Sequence, residues 1–283
     1  MKIFILILML TFSLYSKTFF SNDEQKDASE YMGALKDLII ATQKTRGATY
    51  GYHKGNTSSL LLIYNYRRDM KKAIGTMESL PLSSEVIINT RATAISQRLI
   101  KLNRMALKLE ANSSFEQYTE NIEQSLMLAQ TVSKKSFDNL SSFGKHSAEI
   151  MLESILPLTE NIGQLRAKGT GAAAEGNIEE QRLYEMKALI EEIKRLNNKF
   201  QSDTRYNYKN NTEHFKTDVE LKLNNIQKDL DGLISLTKNK IFKKNIKVNP
   251  DKYFQKATDI ISEIVQIFDI NNKAILADSK GWL

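Results

Sequence analysis

Apolar residues recur at intervals of three and four along most of the chain, a spacing that is typical of amphipathic α-helices. In the first such stretch Tyr31, Leu35 and Leu38 lie on one helical face, which continues through Thr42 and Thr45. No segment alternates apolar and polar residues for long enough to indicate a β-strand. The sequence therefore predicts an all-α protein with eight long helices, over residues 23–53, 58–79, 83–110, 113–141, 145–175, 178–205, 211–241 and 251–275.

Residues that favour helix ends lie at several of the predicted boundaries. Gly55-Asn56 and Gly176-Asn177 each follow a helical pattern, and glycine at this position is typical of a helix C-terminus. Asn249-Pro250 can begin the last helix, with Asn as the N-cap and Pro in the first turn. Pro157 lies inside a helical pattern instead, where we expect it to kink the helix.

Long helices joined by short turns commonly pack as four-helix bundles. The eight predicted helices divide into two packed four-helix bundles, over residues 23–142 and 143–283. No flexible linker separates the two halves, so we expect the bundles to pack end to end and to form one domain.

The first residues resemble a targeting signal rather than part of the fold. Lys2 is followed by an apolar run from Ile3 to Leu14, and a bilayer-spanning helix needs about 20 such residues. A short basic start, a short apolar run and a small residue predict a signal peptide over 1–16, and hence a periplasmic or secreted protein. The alternative is an uncleaved membrane anchor, in which Phe19 and Phe20 extend the apolar run.

The balance of charge is basic, with 40 Lys and Arg against 33 Asp and Glu. Because the charges are interspersed and export is predicted, we do not expect nucleic acid to be a partner. The excess positive charge would still attract small anions.

Residue patterns of enzymes and metal proteins are missing from the sequence. The three histidines, His53, His146 and His214, show no metal-ligand spacing, and there is no cysteine. No serine nucleophile elbow and no phosphate-binding loop occur either. We therefore predict no enzyme activity, no metal and no cofactor.

Two stretches of the chain, Gln43 to Asn56 and Gln164 to Asn177, look like imperfect copies of one another. Each places an Arg among small residues, and Arg46 and Arg166 are 120 positions apart, as are Gly51 and Gly171. Seven of the chain's 12 glycines lie in or beside these two stretches, at positions 47, 51, 55, 163, 169, 171 and 176. We expect the helix backbones to approach closely there.

Arg46 and Arg166 fall on the apolar faces of their helices, and neither has an acidic residue at helical spacing within its own stretch. A buried Arg needs a counter-charge, and a planar guanidinium matches a planar oxyanion with two hydrogen bonds. We expect the two arginines to hold a small anion between helices, with help from Gly47, Thr49 and Thr170. The alternative is that each Arg packs over apolar surface or pairs with a core carboxylate.

Arg67 and Arg68 on the second helix are further candidates for the same site, because one of them could reach the first helix across the turn at 54–57.

The ordered set of motifs resembles the all-helical nitrate- and nitrite-sensing (NIT) domain family. The resemblance rests on Gln43-Lys44-Thr45-Arg46-Gly47, Arg68-Asp69, Leu165-Arg166-Ala167-Lys168-Gly169 and the segment from Asn249 to Ile261. It covers nearly all of the chain after the predicted signal. The resemblance implies two packed four-helix bundles and an anion, nitrate or nitrite, held between arginines.

Domains of this family are typically fused to transmembrane signalling modules or to an RNA-binding antiterminator domain, and this sequence shows neither. We therefore expect a free-standing sensor that signals through a partner such as a membrane receptor or kinase, and we leave a homodimer open. Two alternatives remain: a helical bimodular sensor of small carboxylates, and an envelope protein that binds another protein and no small ligand. The family often has an acid before the Arg, where this chain has Thr45.

Overall fold

The computed structural model describes residues 2–137, 140–215 and 217–280, with side chains described between residues 24 and 277 of these ranges. The described residues form helices and short connections and contain no β-strand, so the predicted all-α class is confirmed. The helices are α1 (Lys2–His53), α2 (Ser59–Ser79), α3 (Val86–Met105), α4 (Ala111–Ser136), α5 (Ser142–Glu149), α6 (Leu156–Glu175), α7 (Glu180–Asn210), α8 (Val219–Leu236) and α9 (Pro250–Lys280).

Helices α5 and α6 are two parts of one continuous helix, which brings the described helices to the predicted number of eight. A π-helical turn, Ile150–Ile155, joins them, and Pro157 lies in the first turn of α6. In this widened turn Leu156 N–H donates to the carbonyl of Met151 five residues earlier, while the kink predicted at Pro157 stays a prediction. A second π-helical turn, Thr237–Ile241, follows α8.

Glycines end two helices at the matched positions that the sequence indicated. Gly55 follows α1 with φ +102° and Gly176 follows α6 with φ +72°, in the left-handed region that glycine adopts without a Cβ clash.

Helix α1 packs against α2 and α4 and also against α6 and α9. Helix α3 packs on α4, while α6 packs on α7 and α9, and α8 on α9. One main apolar core runs through the contacts of both halves. The division near residue 142 into two bundles stays a prediction.

The predicted signal peptide, 1–16, lies outside the residues whose side chains are described, and its cleavage stays a prediction. Among the described residues, no helix combines the length and the apolar character that crossing a membrane requires.

Helices α1 and α6 approach closely where the two sequence copies face each other. A Cβ added at Gly171 of α6 would lie 2.7 Å from Tyr50 Cε1 of α1. Helix α6 also approaches α9 closely, since a Cβ added at Gly169 would lie 2.3 Å from Tyr253 Cε1. Tyr253 is fully buried on α9 and shares a hydrogen bond of 2.8 Å with the Thr237 hydroxyl. The ring therefore has little freedom to move away from a larger side chain at position 169.

We expect Gly169→Ala to lower the free energy of unfolding by about 3 kcal/mol, because the new methyl group overlaps a ring that is fixed on both sides. This corresponds to a fall in melting temperature of roughly 5–10 °C, measured by circular dichroism. The matched control is Gly75→Ala on α2, where nothing lies within 4 Å of the added Cβ. It should leave the melting temperature unchanged or raise it slightly. Equal melting temperatures for the two variants would contradict the close packing.

Candidate functional site

Arg46 and Arg166 lie side by side where α1 crosses α6, and both side chains are fully buried. Each guanidinium lies against a glycine of the other helix. The Cβ position of Gly163 is 3.4 Å from Arg46 Nη2, and that of Gly47 is 3.5 Å from Arg166 Nε. The two motifs of the sequence are thus brought together in one buried cluster.

The duplication extends from the sequence to the contacts of each arginine. Arg46 Cζ lies 4.9 Å from the centroid of the Phe115 ring, and Arg46 Nη1 donates to Thr119 Oγ1 at 2.8 Å. Phe115 and Thr119 are four residues apart on α4, and the Thr119 hydroxyl donates to the Phe115 carbonyl at 2.9 Å. That hydroxyl therefore presents its lone pairs to the guanidinium.

Arg166 has the same surroundings on α9. Its Cζ lies 4.6 Å from the centroid of the Phe254 ring, and its Nη1 donates to Thr258 Oγ1 at 2.8 Å. The Thr258 hydroxyl donates to the Phe254 carbonyl at 2.8 Å. Each arginine thus stacks on a Phe and binds the Thr one helical turn later.

The two halves differ in the counter-charge. Glu160 on α6 binds Arg46 with both carboxylate oxygens, at 2.5 Å from Nη1 and 3.1 Å from Nη2. Gln164 Nε2 also donates to this carboxylate, at 2.9 Å. The expectation that Arg46 takes a bound anion as its counter-charge is therefore wrong, and the alternative of a core carboxylate holds for it, because the partner comes from the facing helix. The position 120 residues before Glu160 is occupied by Ile40, which is apolar.

Arg166 keeps one edge of its guanidinium free. Within the described residues Nε and Nη2 are buried and have no hydrogen-bond partner. In Arg195 of α7 the same edge binds Glu192, with Nε and Nη2 at 2.8 and 2.7 Å from its two oxygens. The free edge of Arg166 therefore has the geometry that holds two oxygens of a planar anion.

The pKa of Arg166 is lowered to about 10, chiefly by burial and also by the positive charge of Arg46, while Tyr66 and Glu160 act in the opposite direction. Arg166 is therefore charged at neutral pH but is held in a site that disfavours its charge.

Further unpaired polar atoms surround the two arginines. Gln43 and Thr49 lie three residues on either side of Arg46, and Thr170 lies four residues after Arg166, so they share the facing surfaces of α1 and α6. All three side chains are buried, and both amide atoms of Gln43 and the hydroxyls of Thr49 and Thr170 have no hydrogen-bond partner in the described residues. Buried polar atoms in this number are unusual, and they give the cluster groups that can bind a polar ligand.

A surface cavity of about 420 Å³ lies between α1, α2 and α9. Lys44 lines it, and its ammonium lies 5.8 Å from the centroid of the Tyr66 ring, which stacks on Phe254 at 6.3 Å. Burial lowers the pKa of Lys44, and so does the charge of Arg166. Lys44 therefore lines the cavity and also interacts electrostatically with the buried guanidinium of Arg166.

The two other arginine candidates have different positions. Arg67 is half-buried on α2, with Nε and Nη2 unpaired in the described residues, and its charge counteracts the rise that burial causes in the pKa of Tyr118. Thr49 faces the same tyrosine. Arg68 is exposed on α2, so the expectation that it joins the buried cluster is wrong.

Sequence reasoning missed several members of the cluster, namely Gln43, Lys44, Phe115, Thr119, Glu160, Phe254 and Thr258. One signal could have found four of them: Phe115 and Thr119 have the same spacing as Phe254 and Thr258 in the second half.

The described part of the chain contains no group of three His, Cys, Asp or Glu side chains that could hold a metal ion. The cluster is instead cationic, with polar hydrogen-bonding groups around it.

No protein-family model matches the sequence, and no curated protein matches it. Among solved structures the chain is similar to the NasR transcription antiterminator, with 12% sequence identity and a TM-score of 0.65. The similarity covers 98% of this chain and 75% of the NasR chain. At this level of identity the comparison concerns the fold, and it places nearly the whole chain in the helical architecture of NasR.

Proposed function

We propose that this protein is a sensor module that binds one small planar oxyanion, nitrate or nitrite, at Arg166. The observation that carries the proposal is the buried and unpaired Nε and Nη2 edge of this residue. An uncompensated buried charge is costly, so a bound anion would stabilise the protein by supplying the missing partner.

The charges of the cluster favour a single monovalent anion. Arg46 and Glu160 neutralise each other as an ion pair, which leaves the charge of Arg166 without a partner. Nitrate is planar and carries one negative charge, and two of its oxygens match the spacing of a guanidinium edge. A divalent anion would leave one negative charge uncompensated in a buried site.

The neutral groups around Arg166 suit an oxyanion as well. Gln43 Nε2 can donate, and the hydroxyls of Thr49 and Thr170 can each rotate to donate. The anion would reach them from the cavity between α1, α2 and α9, past Lys44.

The sequence motifs and the fold support the proposal independently. The motifs resemble a family of nitrate and nitrite sensors whose members occur fused to antiterminator domains, and the fold is similar to that of an antiterminator, NasR. We propose further that the exported module passes its signal to a membrane receptor or kinase and performs no catalysis.

One observation favours a second candidate, a sensor of small carboxylates. The carboxylate of Glu160 already binds Arg46, whose surroundings duplicate those of Arg166. A formate or acetate ion could therefore bind Arg166 in the same way.

The test is a thermal-shift and calorimetric titration with nitrate, nitrite, formate, acetate, sulfate and chloride. Two or three charge-assisted hydrogen bonds of about 1.5–3 kcal/mol each, less desolvation, predict a Kd between about 10 μM and 1 mM. At 100 times Kd, nitrate should stabilise the fold by about 2.7 kcal/mol, which is a rise in melting temperature of several degrees. A larger response to formate or acetate would select the carboxylate sensor. No response to any anion would overturn both candidates and favour an envelope protein that binds another protein.

A further inference from the structure

A second cavity, unrelated to the arginine cluster, lies between the π-helical turn after α8, the following loop and the start of α9. Its volume is about 640 Å³. No Asp or Glu lines it, and five lysines do: Lys240, Lys243, Lys247, Lys252 and Lys256. We call it the lysine cavity.

The charge of this cavity is local and does not simply follow the composition of the chain. The cavity between α1, α2 and α9 has two lysines but also Asp37, Asp69 and Asp269. The cavity between α4 and the α5 region has two lysines together with Glu149 and Glu153. Of these three cavities, the lysine cavity alone has cations that no acid in its lining balances.

Several lysines elsewhere on the surface are paired with acids, as with Lys194 and Glu191 or Lys199 and Asp203. Within the described part of the chain, none of the five lysines of the cavity forms an ion pair. Lys238, just outside the cavity, is the nearest paired one, at 4.0 Å from Glu191. Like charges in one concave site repel each other, so this arrangement is stabilised by an added anion.

The remaining lining gives the cavity an apolar wall and hydrogen-bonding groups. Leu236, Val248 and Tyr253 are apolar or aromatic, and Asn239 and Asn245 supply amides. Tyr253 is fully buried and held by Thr237, so this wall is rigid.

We propose that the lysine cavity binds a ligand that carries several closely spaced negative charges, as phosphate groups do. Five ammonium groups exceed what one nitrate ion requires, and flexible ammonium groups suit a multivalent phosphate better than a planar monovalent ion. The source of the phosphates is either a soluble polyphosphorylated molecule or the headgroups of an anionic lipid surface. The proposal does not depend on the oxyanion site at Arg166.

The test uses the full chain and inorganic tripolyphosphate in isothermal titration calorimetry at low and at physiological ionic strength. We expect one tripolyphosphate per chain, with an affinity that falls as salt screens the lysines. The variant Lys243→Gln/Lys247→Gln/Lys256→Gln should weaken binding at least tenfold. The matched control Lys71→Gln/Lys101→Gln/Lys134→Gln has the same change in net charge, removes exposed lysines of α2, α3 and α4 that do not line the cavity, and should change the affinity less than threefold.

A parallel arm measures co-sedimentation with vesicles of phosphatidylglycerol. If the original chain binds tripolyphosphate and the cavity variant does not, the result supports a soluble ligand. If the original chain binds only the vesicles and the cavity variant does not, the result supports a lipid headgroup. Equal losses in the cavity variant and in the control would mean that net charge alone attracts anions, and would overturn the proposal. No binding in either arm would overturn it as well.

Discussion

The Arg166→Met variant is expected to lose the rise in melting temperature that nitrate or nitrite causes, and to melt at a higher temperature than the original protein when no anion is present. Methionine fills a similar volume without charge. It removes the guanidinium edge that would bind the anion, and with it a buried cation that has no carboxylate partner. Few substitutions of a buried ligand-binding residue stabilise the free protein. A lost nitrate response together with a higher melting temperature is therefore diagnostic of an unpaired buried charge at position 166.

The size of the second effect follows from the pKa of Arg166. Its pKa is lowered from the ordinary value of an arginine to about 10, chiefly by burial, which disfavours the charged folded state by roughly 3 kcal/mol. The lost hydrogen bond to Thr258 and the lost contact with Phe254 offset part of this gain. We expect a net stabilisation of about 1–2 kcal/mol, or a few degrees.

The pH dependence has a definite sign. The folded-state pKa is the lower one, so the penalty is fully present below pH about 10 and is relieved as the pH rises from there toward the ordinary pKa of an arginine. The advantage of the Met variant should therefore be constant from pH 6 to 9.

The matched control is Arg195→Met, which removes an exposed arginine whose edge already binds Glu192. It should change the stability by less than about 0.5 kcal/mol and leave the response to nitrate intact. Arg166→Lys should also lose the response, since an ammonium does not reproduce the two-pronged geometry. A nitrate response that persists in Arg166→Met would place the anion elsewhere, with Arg67 as the next candidate.

The Glu160→Gln variant is expected to be strongly destabilised, by about 3–5 kcal/mol, because it leaves Arg46 buried without its ion-pair partner. This corresponds to a fall in melting temperature of roughly 10 °C. The glutamine keeps the shape of the side chain and its hydrogen-bonding oxygen, so the loss reports the charge.

Nitrate should partly restore the stability of Glu160→Gln, and calorimetry should then find two bound anions per chain instead of one. Glu192→Gln, which breaks an exposed pair with Arg195, is the control and should cost less than about 1 kcal/mol. A Glu160→Gln variant as stable as the original protein would mean that Arg46 does not need this partner.

The sequence predicted the helices well because helical periodicity is a local signal. Long apolar faces on α1 and α6 and the glycines after them define the helices without reference to the rest of the chain. The same locality explains what was missed. The acid that pairs with Arg46 is 114 residues away and faces it only after two helices have packed, so helical spacing within one motif does not identify it.

The side of a helix on which each arginine lies was harder to predict where two arginines are adjacent. Arg67 and Arg68 differ by about 100° around α2, and only packing against α1 and α4 determines which one turns inward. The loss of the acid in one copy was visible in the sequence, since Ile40 occupies the position equivalent to Glu160. Only the contact between α1 and α6 shows that this difference leaves Arg166 without a carboxylate partner.

The π-helical turn at Ile150–Ile155 determines the rotational register of α6. A residue inserted into an α-helix turns everything after it by about 100° about the helix axis, and the widened turn absorbs that rotation locally. Glu160 and Arg166 lie downstream of it, on the side that meets α1. Deleting one residue within this turn would therefore remove the widening and leave Glu160 and Arg166 facing α1. Deleting one residue from the regular part of α6 before Glu160 would instead rotate both side chains away from α1 together, dismantling the ion pair and the anion site in one step while leaving the helix itself unbroken.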